Sequence, residues 1–229
     1  MEGTGQPKDN THVIFAGDVS RVHEAFRTSL NSGSVKKIVL VVPEDRLPEF
    51  KHLRNELSKY CTDVVVKGVD ITDVANCALT VYEIVTMERK QGHIVTINIA
   101  DSSVFAFTVS AGIVGSVTKS KVIATAANDT PVTVPLVPFC RLATKRYEIL
   151  KALGETGVDD TTSLKRELKN RFKTEDIVDS NMSAQLKLLE ERGFIVREKN
   201  RQSKTIKRTS LGLLIQNAYE DYPSSRSKK

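Results

Sequence analysis

Ser180, Asn181, Ser183, Ala184 and Lys187 interleave with Met182, Leu186 and Leu189. The three apolar residues recur at i, i+4, i+7, which puts them on one side of a helix and leaves the small and polar residues on the others. Asn, Ser and Lys hydrogen-bond base edges and phosphates, and short side chains let a helix enter a major groove. Gly193 is the residue type that ends such a helix. Two β-branched alternating runs follow, Phe194–Arg197 and Thr205–Thr209, joined by the polar segment 198–204, which spells a hairpin. From Arg192 to Arg208 seven cations (Arg192, Arg197, Lys199, Arg201, Lys204, Lys207, Arg208) stand against the single acid Glu198. A cationic hairpin directly behind a helix of this pattern is expected to bind a polyanion. Ser180, Asn181, Ser183, Ala184 and Lys187 are the expected groove contacts. Arg197, Lys199, Arg201, Lys204, Lys207 and Arg208 are the expected phosphate or minor-groove contacts.

A second group lies far upstream, in the loops Gly17–Arg21 and Asn98–Ser103, each following an apolar run. Open α/β sheets bind ligands beyond the C-terminal ends of their strands, so Gly17, Asp18, Ser20, Arg21, Asn98, Asp101, Ser102 and Ser103 are the candidate ligand residues. Ser20 and Arg21 start one helix and Ser102 and Ser103 precede another, positions where amides can hold an anion. Neither a G-x-G-x-x-G nor a G-x-x-x-x-G-K-[ST] pattern occurs. No Ser–His–Asp or G-x-S-x-G pattern is present, and His12, His23, His52 and His93 share no ligand spacing, so neither catalysis nor a metal is expected. Cys61, Cys77 and Cys140 form no C-x-x-C pair, which fits buried thiols in a reducing cytoplasm.

Elements able to position these residues are legible. Strands are expected at His12–Gly17, Lys37–Pro43, Asp63–Gly68, Ile94–Ile99 and Lys121–Ala126. Helices are expected at Ser20–Leu30, Pro48–Tyr60, Thr72–Lys90 and Val104–Lys119. Continuous Val/Ile runs belong in a parallel sheet covered on both faces, and the regular alternation specifies a doubly wound fold. Thr130–Pro138, with three prolines, is a sixth edge strand or a linker. Ala106, Ser110, Ala111, Gly112, Gly115 and Ser116 give the fourth helix a small-residue surface suited to close packing on a sheet or across a dimer. Helices are also expected at Arg141–Leu153, around Leu164–Phe172, from Thr174 or Ser180 to Gly193, and from Ser210 onward.

Charge divides the 229 residues in the same way. Residues 1–140 hold 14 Lys and Arg against 15 Asp and Glu, whereas residues 141–229 hold 20 against 13. A neutral domain joined to a basic one suggests a sensor attached to a polyanion binder. The expected organisation is a disordered stretch 1–11, a Rossmann-like sensor and dimerisation domain 12–139, a winged helix-turn-helix domain 140–220, and a basic tail 221–229. No signal peptide and no bilayer-spanning stretch is evident, so a soluble cytoplasmic protein without membrane partners is expected.

The stretch Met182–Gly212, with L-x-x-L-E-E-R-G-F-I-x-R, a basic hairpin and R-T-S-L-G, resembles the winged helices of MarR- and ArsR-type regulators. With the N-terminal half included, His12–Tyr219 resembles archaeal regulators that join a CARF (CRISPR-associated Rossmann fold) domain to a winged helix. In that family the fourth strand ends in Asn, a hydrophobic residue, Ser or Thr, two glycines, a hydroxyl residue and a base, and this loop binds cyclic oligoadenylate at a dimer interface. Asn98, Ile99 and Ser103 match. Ala100 stands for the hydroxyl, Asp101 and Ser102 for the glycines, and Val104 for the base.

The resemblance implies a homodimeric, DNA-binding transcription regulator of CRISPR-associated genes. No bound cofactor is expected, and a cyclic oligoadenylate or other nucleotide is the implied effector. Two alternatives stand beside it: a CARF-type ring nuclease or phosphodiesterase using the 98–103 loop, and an adaptor that binds protein or a CRISPR ribonucleoprotein.

Overall fold

The computed structural model describes residues 10–32, 35–125, 130–136, 142–173, 178–199 and 204–221, and the chain divides into two compact units, 1–139 and 140–229. The expected disordered stretch 1–11, the tail, Arg201 and Cys140 fall wholly or mostly outside the described residues; Asn10 and Thr11 already belong to a strand.

The N-terminal unit is a six-stranded sheet in the order β3-β2-β1-β4-β5-β6. Its strands are β1 (Asn10–Phe15), β2 (Lys37–Pro43), β3 (Asp63–Val69), β4 (Ile94–Ile99), β5 (Lys121–Thr125) and β6 (Pro131–Thr133). The first five run parallel, and β6 pairs antiparallel with β5 at the edge, where proline's missing N–H is tolerated. Val13, Ile14 and Phe15 are wholly buried, as are Ile38, Leu40, Val41 and Val42, because helices cover both faces.

Helices α1 (Val19–Asn31), α2 (Leu47–Lys51) and α3 (Leu53–Leu57) cover one face; Val22, Ala25, Phe26, Phe50, Leu53 and Leu57 join Ile14, Ile38 and Leu40 in one cluster. The single helix expected over Pro48–Tyr60 is instead a 3-10 turn (Glu44–Arg46) followed by α2 and α3, broken at His52, with Phe50, Leu53 and Leu57 all in the core. Helices α4 (Val74–Lys90) and α5 (Phe105–Thr118) belong to the other crossovers, and Phe107 of α5 meets Phe15 of β1 with ring centroids 5.1 Å apart. Asp18 and Asp73 cap α1 and α4 by accepting from the amides of Ser20 and Asn76.

The C-terminal unit is built from α6 (Thr144–Leu153), α7 (Thr161–Phe172), α8 (Asp179–Glu191), the hairpin β7 (Ile195–Lys199) with β8 (Lys204–Arg208), and α9 (Ser210–Asp221). Its core gathers Leu150, Leu153, Leu164, Leu168, Met182, Leu186, Leu189, Phe194, Ile206 and Leu214. Each fully buried side chain of this size contributes about 1.5–3 kcal/mol. Between α6 and α7 the chain touches the hairpin: Val158 and Ile206 exchange backbone hydrogen bonds at 3.0 and 2.8 Å. Gly157 makes this approach with φ +80; a Cβ there would lie 2.6 Å from the Ile206 carbonyl oxygen.

Candidate functional site

β1 and β4 are parallel neighbours, with Phe15 opposite Ile99 and the Ala100 amide donating to the Phe15 carbonyl at 3.0 Å. After β1 the chain proceeds to β2 on one side, and after β4 to β5 on the other, so the loops 16–18 and 100–104 flank a topological switch point. They touch: a Cβ on Gly17 would lie 2.5 Å from Val104 Cγ2 and 2.8 Å from Asp101 Oδ2. Asp18 accepts from the Ser20 amide (2.8 Å) and hydroxyl (2.7 Å), which, ahead of the Arg46 charge, hold its carboxyl below the usual range. Asp101 accepts in the same way from the Ser103 amide (3.0 Å) and hydroxyl.

Arg46, which the sequence reading missed, completes the cluster from the turn after β2. It donates to the Gly17 carbonyl, to Glu49 at 2.6 Å and to Asp18 at 3.5 Å. Arg21 pairs with Glu24 at 2.8 Å. Asn98 is wholly buried: it donates to the Ala25 carbonyl (2.9 Å) and Ser29 Oγ (3.0 Å), and accepts from Thr125 Oγ1 (3.2 Å). It ties β4 to α1 and β5 and does not reach the loop. The structure therefore gathers Gly17, Asp18, Asp101 and Arg46, with Ser20 and Ser103 held by the two carboxylates and Ser102 exposed. Such a set offers carboxylates as proton acceptors and a guanidinium for an anion, with more acid than base. The Asp18 cap occupies the α1 terminus, whereas among the described residues no side chain caps α5.

On α8, Ser180, Asn181, Ser183, Ala184 and Lys187 are all exposed, while Met182, Leu186 and Leu189 are buried. The hairpin cations are more engaged than their sequence suggests. Arg197 bonds Glu190, Lys207 pairs with Glu198 at 2.8 Å, and Lys187 lies 3.8 Å from Glu191. Arg208 departs from the expectation of a phosphate contact. Its guanidinium turns inward onto the Gln216 side-chain carbonyl and, at 3.4 Å, the Leu150 carbonyl, and burial lowers its pKa. The side chains of Lys199 and Lys204 lie outside the described residues, but their backbones pair at the end of the hairpin. Among the described residues no cluster of three or more His, Cys, Asp or Glu could hold a metal, and no helix is long and apolar enough to cross a membrane.

The chain thus joins an α/β unit, with a mostly parallel six-stranded sheet and a polar cluster at its switch point, to a helical unit carrying a two-stranded hairpin. Neither a family model nor a curated protein sequence matches it. Solved structures with a similar fold include two. Protein VC1899 from Vibrio cholerae matches at 12% identity and a TM-score of 0.45, over 93% of this chain and 66% of its own. Can2 from Sulfobacillus thermosulfidooxidans, in complex with cyclic tetra-adenylate, matches at 9% and 0.40, over 93% and 65%. The chain spans less than two thirds of the length of either. That the chain is not an enzyme, as expected above, does not follow from its sequence. That expectation rested on the lack of a linear catalytic motif, and active sites assemble from residues that folding brings together.

Proposed function

We propose that the N-terminal unit is a CARF-type sensor of a nucleotide effector and that the C-terminal unit is a winged helix-turn-helix that binds duplex DNA, so that the protein acts as a ligand-responsive transcription regulator. One observation carries the reading. α8 buries Met182, Leu186 and Leu189 and exposes Ser180, Asn181, Ser183, Ala184 and Lys187, directly ahead of a cation-bearing antiparallel hairpin. The resemblance of Met182–Gly212 to MarR- and ArsR-type winged helices supports it. Fluorescence anisotropy on a duplex library at increasing salt tests it: log affinity falls by about 0.9 per phosphate contact per log unit of salt. Salt-independent binding, or none, overturns the reading.

The same reading pairs two copies through the α4–α5 side of the sheet. α5 carries no charged residue, and Phe105 at its start is 73% exposed, with Met87 of α4 51% exposed. Light scattering on the full chain reads the dimer, and Phe105→Glu dissociates it.

A second reading is favoured by the switch-point cluster: a phosphodiesterase that opens a cyclic oligonucleotide. Asp18 and Asp101 supply carboxylates and Arg46 a guanidinium in one place. Incubation with cyclic tetra-adenylate distinguishes the two. Linear products that disappear in Asp101→Asn establish hydrolysis, and recovery of intact ligand leaves the sensor.

A further inference from the structure

The side-chain hydrogen bonds leading to the α8 surface have a direction. Arg146 of α6 donates its Nε–H to Gln185 Oε1 at 2.9 Å, and Gln185 Nε2 donates to Asn181 Oδ1 at 3.4 Å. A guanidinium has donors and no acceptor. Gln185 therefore turns its carbonyl to Arg146 and its amide to Asn181, and Asn181 answers with its own carbonyl. The O/N ambiguity of an isolated amide is removed by the donor-only end of the chain. Gln185 and Asn181 lie four residues apart on one helix, the spacing at which side chains meet. Asn181 is exposed in the first turn of α8, so the edge held by Gln185 is Oδ1 and the edge offered outward is the Nδ2 amide.

We propose that Gln185, anchored by Arg146, is a positioning residue that makes Asn181 a donor to base edges, so that α8 selects guanine over adenine at the base pair Asn181 meets. This rests on the DNA-binding reading above. Guanine presents two acceptors to the major groove, N7 and O6, which suit two amide hydrogens. Adenine presents the N7 acceptor beside the N6 donor, and Asn matches it bidentately only with Oδ1 free to accept.

The experiment is selection by the full-length protein from a duplex library, followed by anisotropy on single-base variants of the selected site. The wild type favours guanine over adenine at one position by about tenfold or more, the discrimination of one good bidentate pair. Asn181→Ala levels the ratio at that position. Gln185→Leu, which cuts the relay without adding charge, levels it too. Gln185→Glu reverses it, because a carboxylate accepts from Arg146 and from Asn181 Nδ2 and turns Oδ1 outward toward bases that carry an amino group, adenine or cytosine. Each ratio is taken within one variant, so the lower affinity caused by the added carboxylate cancels. The proposal is overturned if both Gln185 variants keep the wild-type ratio while Asn181→Ala abolishes it, or if Asn181→Ala changes nothing. If the wild type binds no duplex at low salt, the DNA-binding reading itself fails and takes the proposal with it.

Discussion

Lys37 Nζ meets Glu88 Oε1 at 2.9 Å inside the N-terminal unit, where the carboxylate is wholly buried and the ammonium side chain 19% exposed. Glu88 also accepts from Thr11 Oγ1 at 3.0 Å and lies 2.8 Å from His93 Nδ1, while Lys37 reaches Asp63 at 3.3 Å. The group ties the starts of β1, β2 and β3 to the end of α4, at the opposite end of the sheet from the switch point. Burial pushes the Glu88 carboxyl up, but hydrogen bonds from Lys37, His93 and Thr11 and the Lys37 charge outweigh it and hold the carboxyl below its ordinary 4.5.

Lys37→Met is expected to destabilise the N-terminal unit by about 3–5 kcal/mol at pH 7, because it leaves a buried carboxylate without its cation. A folded-state carboxyl pKa below the unfolded one contributes stability that is present above pH 4.5 and lost as pH falls through the folded value. The penalty of the variant therefore shrinks below pH 4.5, where a protonated Glu88 no longer needs the ammonium. Amide hydrogen exchange of β1 and β2 measures both; a cost under about 1 kcal/mol would mean that water reaches the carboxylate.

His12 is likewise held below its ordinary pKa, but here burial itself is the cause. It is 2% exposed, its Nδ1 has no hydrogen-bond partner among the described residues, and burial, then the charge of Lys121, lowers its pKa from 6.5 to about 4. Between pH 6.5 and 4 the unfolded chain takes up a proton that the folded chain refuses, so stability falls as pH falls. The gap of about 2.5 pH units corresponds to about 3 kcal/mol. Expected results are an NMR titration of the His12 ring with a midpoint near 4 and, in His12→Val, a pH–stability curve flatter by that amount between 6.5 and 4. A His12 midpoint near 6.5 would refute the burial argument.

Much of the N-terminal unit was legible because a covered parallel strand leaves an uninterrupted apolar run, such as Val13–Phe15 of β1 and Ile38–Val42 of β2. Alternation within β4 also held the signal that was missed for Asn98. Thr96 and Asn98 share the face that α1 covers, so Asn98 points into the core even though it borders a candidate loop. Arg46 escaped because it reaches the switch point from the loop of a different strand. In the C-terminal unit the helix face and hairpin were visible from periodicity, but the Val158–Ile206 pairing spans too few residues to show a period. The sign of the hairpin charge was readable, while its pairing was not: Glu190, seven residues before Arg197, neutralises it only once α8 lies beside β7.

The inward turn of Arg208 separates fold from binding among the hairpin cations. Arg208→Ala is expected to lower the stability of the C-terminal unit by about 1–3 kcal/mol, since the Gln216 and Leu150 carbonyls lose a charged donor, and to leave the salt dependence of DNA binding unchanged. Lys187→Ala is expected to do the reverse. Its side chain is 74% exposed and its ion pair with Glu191, at 3.8 Å, lies in solvent and is worth little, so the thermal midpoint holds while the slope of log affinity against log salt falls by about 0.9. A reduced slope in Arg208→Ala with unaltered stability would place that guanidinium on phosphate instead.

Gly212 gives the R-T-S-L-G segment its physical meaning. Thr209 accepts from the Gly212 amide at 3.1 Å, starting α9, and its own amide donates to the Phe194 carbonyl at 3.1 Å. This draws α9 so close to the chain ahead of β7 that a Cβ on Gly212 would lie 2.1 Å from the Phe194 carbonyl oxygen. By helix propensity alone Gly212→Ala would stabilise α9 by about 1 kcal/mol. The obstacle is backbone, however, and overpacking against a group that cannot rotate away costs about 1–3 kcal/mol or more. The net expectation is destabilisation of the C-terminal unit, read as a lower thermal midpoint and faster amide exchange in α9 and β7. Thr209→Val, which keeps the shape and loses the hydroxyl, costs about 1 kcal/mol without displacing the helix. A Gly212→Ala protein more stable than the wild type would show that α9 does not rest on the Phe194 carbonyl.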